Sequence, residues 1–107
     1  MEITAEQLKQ KIENGDKIIV DFYTNWCGPC KVMKPTFEKI SKELMNEKYG
    51  VELYTFNVES DASIATQLGI RAVPTIKSFD GGKEVYSKSG VQTEAQLKEL
   101  AKGLLNG

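Results

Sequence analysis

The sequence contains no histidine and only two cysteines, and these shortages exclude several kinds of site. Without histidine, the chain has neither a Cys–His protease pair nor a Cys-x-x-Cys-His haem attachment. A structural zinc site takes four ligands, so the two cysteines would need carboxylates or a second chain to complete one. No glycine-rich nucleotide-binding motif is present either. We therefore expect no metal and no bound cofactor.

The sequence also lacks a large net charge and long apolar runs. Fourteen basic and fifteen acidic residues are interspersed and give a net charge of −1, so nothing favours binding to nucleic acid or to an acidic membrane. No apolar run reaches the length of a membrane span, and residues 1–10 lack the apolar segment of a signal peptide. We expect a single domain over residues 1–107, monomeric and cytoplasmic.

Both cysteines lie in one segment, Trp26-Cys27-Gly28-Pro29-Cys30, at a boundary between two predicted elements. The preceding Lys17–Tyr23 is apolar and β-branched, which is typical of a strand buried on both faces. From Lys31 to about Lys48 the apolar residues have helical spacing. The thiols therefore lie in the first turn of a helix, whose unpaired N–H groups and partial positive charge stabilise a thiolate. The thiolate is the form that attacks disulfides or binds metal.

The two cysteines are expected to have different roles. Cys27 is the outermost, so it should be exposed, more acidic and ionised at ordinary pH. Cys30 lies one turn in, beneath Cys27, where it can attack a mixed disulfide formed on Cys27. A structural disulfide is the alternative, but a bridge across so short a loop removes only roughly 2 kcal/mol of chain entropy from the unfolded state. We therefore predict reversible dithiol–disulfide exchange.

Three helices are predicted besides the one that follows the cysteines. Thr4 and Thr93 each begin a capping box and hence a helix, and Ser60 or Asp61 caps a short helix between them. Pro35 lies inside the long helix and predicts a kink there. Each helix should turn an apolar face toward the core, formed in the short helix by Ala62, Ala65 and Leu68.

Further strands follow the first along the chain. Val51–Val58 is typical of a central strand covered on both sides, and Thr75–Ser87 is typical of a hairpin that turns at Asp80-Gly81-Gly82. Right-handed crossovers make the first two strands parallel, and the hairpin adds antiparallel ones. The predicted fold class is therefore α/β, with a mixed sheet and helices on both of its faces.

The residues around the cysteines resemble the active-site segment of the thioredoxin family. Val20–Tyr23 followed by Trp26–Lys31 carries the resemblance, and Val73-Pro74-Thr75 and Gly90 match two further family landmarks. The similarity covers most of the chain from about Lys17 and implies the thioredoxin fold, a central mixed four- to five-stranded sheet flanked by four helices. In this family an edge strand usually precedes the first helix. Only residues 1–3 are available for it here, so we expect it to be very short or absent.

Asp21 is an acidic residue within the otherwise apolar part of the first predicted strand, and its apolar neighbours indicate that it is buried. A desolvated carboxyl group has a raised pKa, which suits a proton donor and acceptor near neutral pH; a partly exposed aspartate at the strand end is the alternative. The resemblance implies that Asp21 serves Cys30, directly or through a water. The family often has a lysine near this aspartate. This chain has Thr55 there, which should raise the pKa of Asp21 further.

The resemblance also implies a surface that binds target proteins. From the residues alone, trans is the commoner form of an X–Pro bond, but thioredoxin-like folds carry a cis proline opposite the cysteines. We therefore expect a cis Val73–Pro74 bond, with the backbone of Val73 free to hold a substrate peptide as an added strand does. The expected substrate-binding residues are Trp26, Gly28, Pro29, Val73, Pro74 and Gly90.

The function that the resemblance implies is the reduction of protein disulfides. Disulfide-containing target proteins would take electrons from the dithiol, and a thioredoxin reductase would restore it. The Gly-Pro between the cysteines resembles reducing members of the superfamily. Two alternatives stay open. One is a relative that acts as oxidase, isomerase or glutathione-linked reductant, which the equilibrium potential would distinguish. The other is a binding module that serves another enzyme as a subunit and does not need its cysteines.

Overall fold

Four strands and four helices make up most of the computed structural model, which describes residues 1–46 and 50–106. The strands are β1 (Ile18–Tyr23), β2 (Glu52–Asn57), β3 (Thr75–Asp80) and β4 (Lys83–Ser89). The helices are α1 (Ala5–Glu13), α2 (Gly28–Asn46), α3 (Ala62–Gln67) and α4 (Glu94–Asn106), and a 3₁₀ turn covers Val58–Ser60. This order of elements confirms the predicted α/β class.

The sheet is mixed, with its strands in the order β2-β1-β3-β4. β1 pairs in parallel with β2 and antiparallel with β3, and β3 pairs antiparallel with β4. The parallel pairing follows from the crossover through α2. The hairpin between β3 and β4 turns at Gly81 and Gly82, whose φ angles of +65° and +86° favour glycine. The predicted parallel pairing of the first two strands and the predicted antiparallel hairpin are confirmed.

β2 is an outer strand of this sheet, not the central strand that the sequence predicted. It is buried as expected, but its free edge is met by the N-terminus. A parallel bridge joins Glu2 to Thr55; the N–H of Ile3 donates to Thr55 O, and the N–H of Thr55 donates to Met1 O, each at 2.9 Å. The N-terminal strand is therefore reduced to a single bridge. An apolar strand buried on both faces can be central or, like β2, outermost, so the residues of β2 alone did not show its place in the sheet.

Two apolar clusters lie on opposite faces of the sheet, because side chains alternate along each strand. The cluster facing α2 and α4 contains Ile19, Met33, Phe37, Ile40, Val51, Leu53, Ile76, Leu97, Ala101 and Leu104. The cluster facing α1 and α3 contains Ile3, Leu8, Ile18, Val20, Phe22, Tyr54, Phe56, Ile64 and Phe79. Asp21 has the same parity as Ile19, so its side chain is on the face covered by α2.

Helix α2 carries the predicted core stripe. Met33, Phe37 and Ile40 are at most 1% exposed, and Pro35 lies inside the helix. The kink at Pro35 stays a prediction, and the predicted helix end near Lys48 lies outside the described residues. Within residues 1–46 and 50–106, none of the helices combines the length and apolar character that a membrane crossing requires.

The predicted helix starts are confirmed in side-chain detail. The hydroxyl of Thr4 accepts from the N–H of Gln7 at 3.1 Å, and the Gln7 side chain accepts from the N–H of Thr4 at 3.0 Å. Thr93 and Gln96 make the same reciprocal pair, at 3.1 and 2.8 Å. Asp61, not Ser60, caps α3. Each cap satisfies N–H groups that the first helical turn leaves without partners.

The inward face of α3 differs from the prediction. Ile64 is its buried residue, 2% exposed, whereas Ala62 is exposed and Ala65 and Leu68 are only partly buried. With six residues, α3 completes fewer than two turns, so the apolar spacing is too short to define a face.

Replacing Thr4 with alanine should destabilise the protein by about 1 kcal/mol, because the hydroxyl that caps α1 is lost. Urea unfolding measures the change. Thr66→Ala is the matched control, since Thr66 lies inside α3 and donates to Ala62 O without capping a helix start. Equal losses for the two variants would contradict the assignment of Thr4 as a stabilising cap.

Candidate active site: the Cys27–Cys30 pair

The two cysteines lie just after β1, at the start of α2. Cys27 and Cys30 form a disulfide, with their Cα atoms 5.3 Å apart. This position is at the carboxyl end of β1, and open α/β sheets generally place their sites at that end of the strands. The predicted location of the pair between strand and helix is confirmed.

Cys27 directly precedes α2, and its sulfur acts as a cap for the helix. The N–H of Cys30 donates to Cys27 Sγ at 3.1 Å, and the N–H of Lys31 donates to Cys27 O at 3.2 Å. A hydrogen bond to the charged form of a group favours that form. When the disulfide is opened, the Cys30 N–H is therefore placed to stabilise a thiolate on Cys27.

Both cysteines are largely shielded in the disulfide form. Cys27 is 6% exposed and Cys30 is 3% exposed, so their order agrees with the predicted outer and inner positions. The expectation of an exposed Cys27 is nevertheless wrong for this form. Its sulfur is bonded to Cys30 and lies 3.6 Å from the carbonyl oxygen of Val73, which covers it. Trp26, beside the pair, is 72% exposed.

The loop before β3 forms the opposite wall of the site. The Val73–Pro74 bond is cis, as predicted. The N–H of Gly90 donates to Pro74 O at 2.8 Å, and Gly90 has a φ of +99°, which few residues other than glycine adopt. Gly90 is thus joined to the loop whose Val73 carbonyl contacts Cys27.

The six predicted substrate-binding residues differ in accessibility. Trp26, Gly28, Pro29 and Gly90 are exposed, Val73 is partly exposed, and Pro74 is buried. Five of the six therefore have surface exposed to solvent, whereas Pro74 is buried and its carbonyl oxygen accepts from the N–H of Gly90.

Asp21 is buried behind the cysteines, with 1% of its surface exposed. Its Oδ1 atom has no hydrogen-bond partner in the part of the chain that the structure describes. Burial raises the pKa of Asp21 to about 7; the negative charge of Glu2 acts in the same direction, and the positive charge of Lys34 opposes it. The expectation of a buried aspartate that titrates near neutral pH agrees with this environment.

A small cavity joins Asp21 to the inner cysteine. Its volume is about 80 Å³, and both Asp21 and Cys30 line it together with Thr24, whose buried Oγ1 also lacks a partner among the described residues. A cavity of this size that contains unpartnered polar atoms can hold water. The carboxyl group of Asp21 and the side chain of Cys30 therefore border the same small space.

Comparison with known proteins decides the family. The chain matches the Thioredoxin family model over residues 1–103. The chain belongs to the thioredoxin family. Thioredoxin from Malassezia sympodialis is 43% identical over 86 residues, which are 79% of each chain, and thioredoxin from Rickettsia felis is 36% identical over 96 residues, 89% of each.

Solved thioredoxins have the same fold. The crystal structure of the Malassezia sympodialis protein superposes with a TM-score of 0.83 at 31% identity, covering 95% of this chain and 88% of that one. Thioredoxin from Fasciola hepatica gives a TM-score of 0.82 at 33% identity, covering 96% and 98%. As a member of the thioredoxin family, this chain is a protein thiol–disulfide oxidoreductase with Cys27 and Cys30 as its redox pair.

Sequence reasoning missed two charged residues that act on Asp21. Lys34, on the second turn of α2, lines the cavity, and its positive charge opposes the raised pKa of Asp21. Its position one turn beyond Cys30 was the available signal. Glu2 reaches the same region from the N-terminus, and no local pattern in the sequence indicates this.

Proposed function

We propose that the protein reduces disulfide bonds in target proteins, and that the Cys27 thiolate attacks first. A bond forms between Cys27 Sγ and one target sulfur, while the target disulfide breaks and its second sulfur leaves as a thiolate. The observation that carries this assignment is the hydrogen bond from the Cys30 N–H to Cys27 Sγ, which favours negative charge on Cys27.

Cys30 then resolves the mixed disulfide. Asp21 takes the proton of the Cys30 thiol, and the Cys30 thiolate attacks Cys27 Sγ. The Cys27–Cys30 disulfide forms, the target leaves with both of its sulfurs reduced, and two electrons have passed from the protein to the target. The shared cavity and the near-neutral pKa of Asp21 support this role, because a base is most effective when its pKa is close to the working pH.

The partners follow from this chemistry. A disulfide-containing target would dock along Trp26, Gly28, Pro29, Val73, Pro74 and Gly90, with its backbone against the loop of Val73. A thioredoxin reductase would return two electrons to the oxidised pair. We further propose that residues 1–107 form one domain that works as a monomer in the cytoplasm.

Replacing Cys30 with serine should trap the target on the protein. The reduced variant still attacks through Cys27, but no second thiol releases the mixed disulfide. Incubation with insulin should therefore give a covalent adduct that dithiothreitol removes, detected by mass spectrometry of the unreduced sample.

Cys27→Ser is the matched control, since it differs from Cys30→Ser only in which thiol is left. It should give little adduct, because the remaining Cys30 sulfur is deeper and does not cap the helix. A stable adduct on Cys30 in this control, with none on Cys27 in the first variant, would reverse the assigned roles.

A further inference from the structure

Glu2 is held in one orientation beside the active-site strand. Its Oε1 atom accepts hydrogen bonds from the hydroxyl groups of Tyr23 at 2.7 Å and Thr55 at 2.8 Å, and its Oε2 atom accepts from the N–H of Asn57 at 3.2 Å. The backbone on either side of Glu2 is paired with Thr55. A surface glutamate with these contacts cannot swing freely into solvent.

The two hydroxyl groups that Glu2 binds belong to residues near Asp21. Thr55 is the direct neighbour of Asp21 in the pairing of β1 with β2, and Tyr23 lies two residues further along β1. Both line the cavity that contains Asp21 and Cys30. Because both hydroxyls donate to Glu2, their protons are not available to the unpartnered Oδ1 of Asp21.

Among the residues that the structure describes, the charged and titratable groups near Asp21 belong to three parts of the chain. The N-terminal segment contributes Glu2, α2 contributes Lys34 and Lys31 together with the thiol of Cys30, and β1 itself contributes Tyr23. On the two neighbouring strands the residues paired with Asp21 are the uncharged Thr55 and Ile76. Burial, the hydrogen bond to Glu2 and the charges of Glu2 and Asp21 raise the pKa of the Tyr23 hydroxyl, so Tyr23 stays a donor.

We propose that Glu2 is a positioning residue for the redox reaction, acting through Asp21. By binding the hydroxyls of Tyr23 and Thr55 and placing a negative charge near the cavity, Glu2 keeps Asp21 protonated up to neutral pH. Asp21 can then exchange a proton with Cys30 under ordinary conditions. This role rests on the proposed function of Asp21, and it is distinct from any contribution of Glu2 to stability.

Glu2→Gln tests the charge, because glutamine retains an acceptor oxygen for the two hydroxyls. The midpoint of Asp21 ionisation, followed by ¹³C NMR of its carboxyl group in the reduced protein, should move to lower pH by about one unit. The pH profile of insulin reduction should move in the same direction. Glu2→Ala also frees the hydroxyls of Tyr23 and Thr55 and should move the midpoint further.

Glu13→Gln is the matched control, since it makes the same change of charge at an exposed position on α1. It should leave the midpoint of Asp21 in place. In an Asp21→Asn background, Glu2→Gln should no longer move the pH profile, which separates an effect through Asp21 from a general one.

An unchanged Asp21 midpoint in folded Glu2→Gln and Glu2→Ala would overturn the proposal and leave Glu2 with a structural role only. This NMR readout does not depend on turnover. A failure of the Glu2 proposal is therefore distinguishable from a failure of the proposed reductase function, which the cysteine variants test.

Discussion

Replacing Cys27 with serine should abolish disulfide reduction, lowering the rate of insulin reduction by at least about a thousandfold. A serine hydroxyl ionises far above neutral pH, and no histidine is present in the chain to act as a base for it. The hydrogen bond from the Cys30 N–H, which favours a thiolate, does not compensate for so weak a nucleophile. The assay uses dithiothreitol as electron donor, and the thousandfold loss applies to the rate that remains after the rate of dithiothreitol alone is subtracted.

The controls for this variant separate chemistry from folding. Val32→Ser introduces serine at a 69% exposed position on the same helix and should retain most of the activity. In the reduced protein, iodoacetamide should modify Cys27 faster than free cysteine, because opening the disulfide frees the sulfur and the helix start favours its ionised form. Undiminished reduction by Cys27→Ser, or modification no faster than free cysteine, would contradict the assignment of Cys27 as nucleophile.

The features that the sequence predicted correctly depend on neighbouring residues. Capping boxes join residues three apart, as in Thr4 with Gln7, and the core stripe of α2 repeats every three or four residues. The position of the cysteines follows from the change of apolar period at the end of β1. Such signals are local, so a single sequence contains them in full.

The features that the sequence did not predict depend on distant contacts. Glu2 and Thr55 are 53 residues apart, and only the folded chain shows that the N-terminus covers the edge of β2. The shielding of Cys27 depends on Val73, 46 residues away. The cis Val73–Pro74 bond was expected from the family resemblance alone, because trans is the more stable form for an isolated X–Pro bond.

Replacing Asp21 with asparagine should make the protein more stable at pH 8 by on the order of 4 kcal/mol. The pKa of Asp21 is raised from 3.8 to about 7 in the folded protein, mainly by burial. Above pH 7, folding therefore requires a buried carboxylate whose Oδ1 has no partner among the described residues. Asparagine is neutral at every pH and avoids this cost.

The effect should depend on pH in a defined way. Below about pH 4 Asp21 is protonated in both the folded and the unfolded chain. Ionisation of Asp21 should therefore contribute little to the difference in stability between wild type and variant. Between about pH 4 and 7 the folded chain retains a proton that the unfolded chain releases, so the stability of the wild type falls with rising pH. Above pH 7 the difference between the two proteins should become constant.

The same substitution should slow the reaction while it stabilises the fold. Without a carboxylate in the cavity, Cys30 loses its proton less readily, and release of the target should slow by roughly ten- to a hundredfold near neutral pH. A gain in stability paired with a loss of rate is typical of a buried group retained for its chemistry. Stopped-flow measurement of target release from the mixed disulfide gives the rate.

Asp16→Asn is the matched control for stability, because the carboxylate of Asp16 lies at the surface, 3.6 Å from the Nζ atom of Lys11. A surface ion pair of this kind contributes at most about 1 kcal/mol, and its loss should not stabilise the protein at high pH. Urea unfolding from pH 4 to pH 9 compares wild type with both variants. If the stability of Asp21→Asn ran parallel to that of the wild type across this range, Asp21 would not titrate near neutrality, and its role as the base for Cys30 would have to be abandoned.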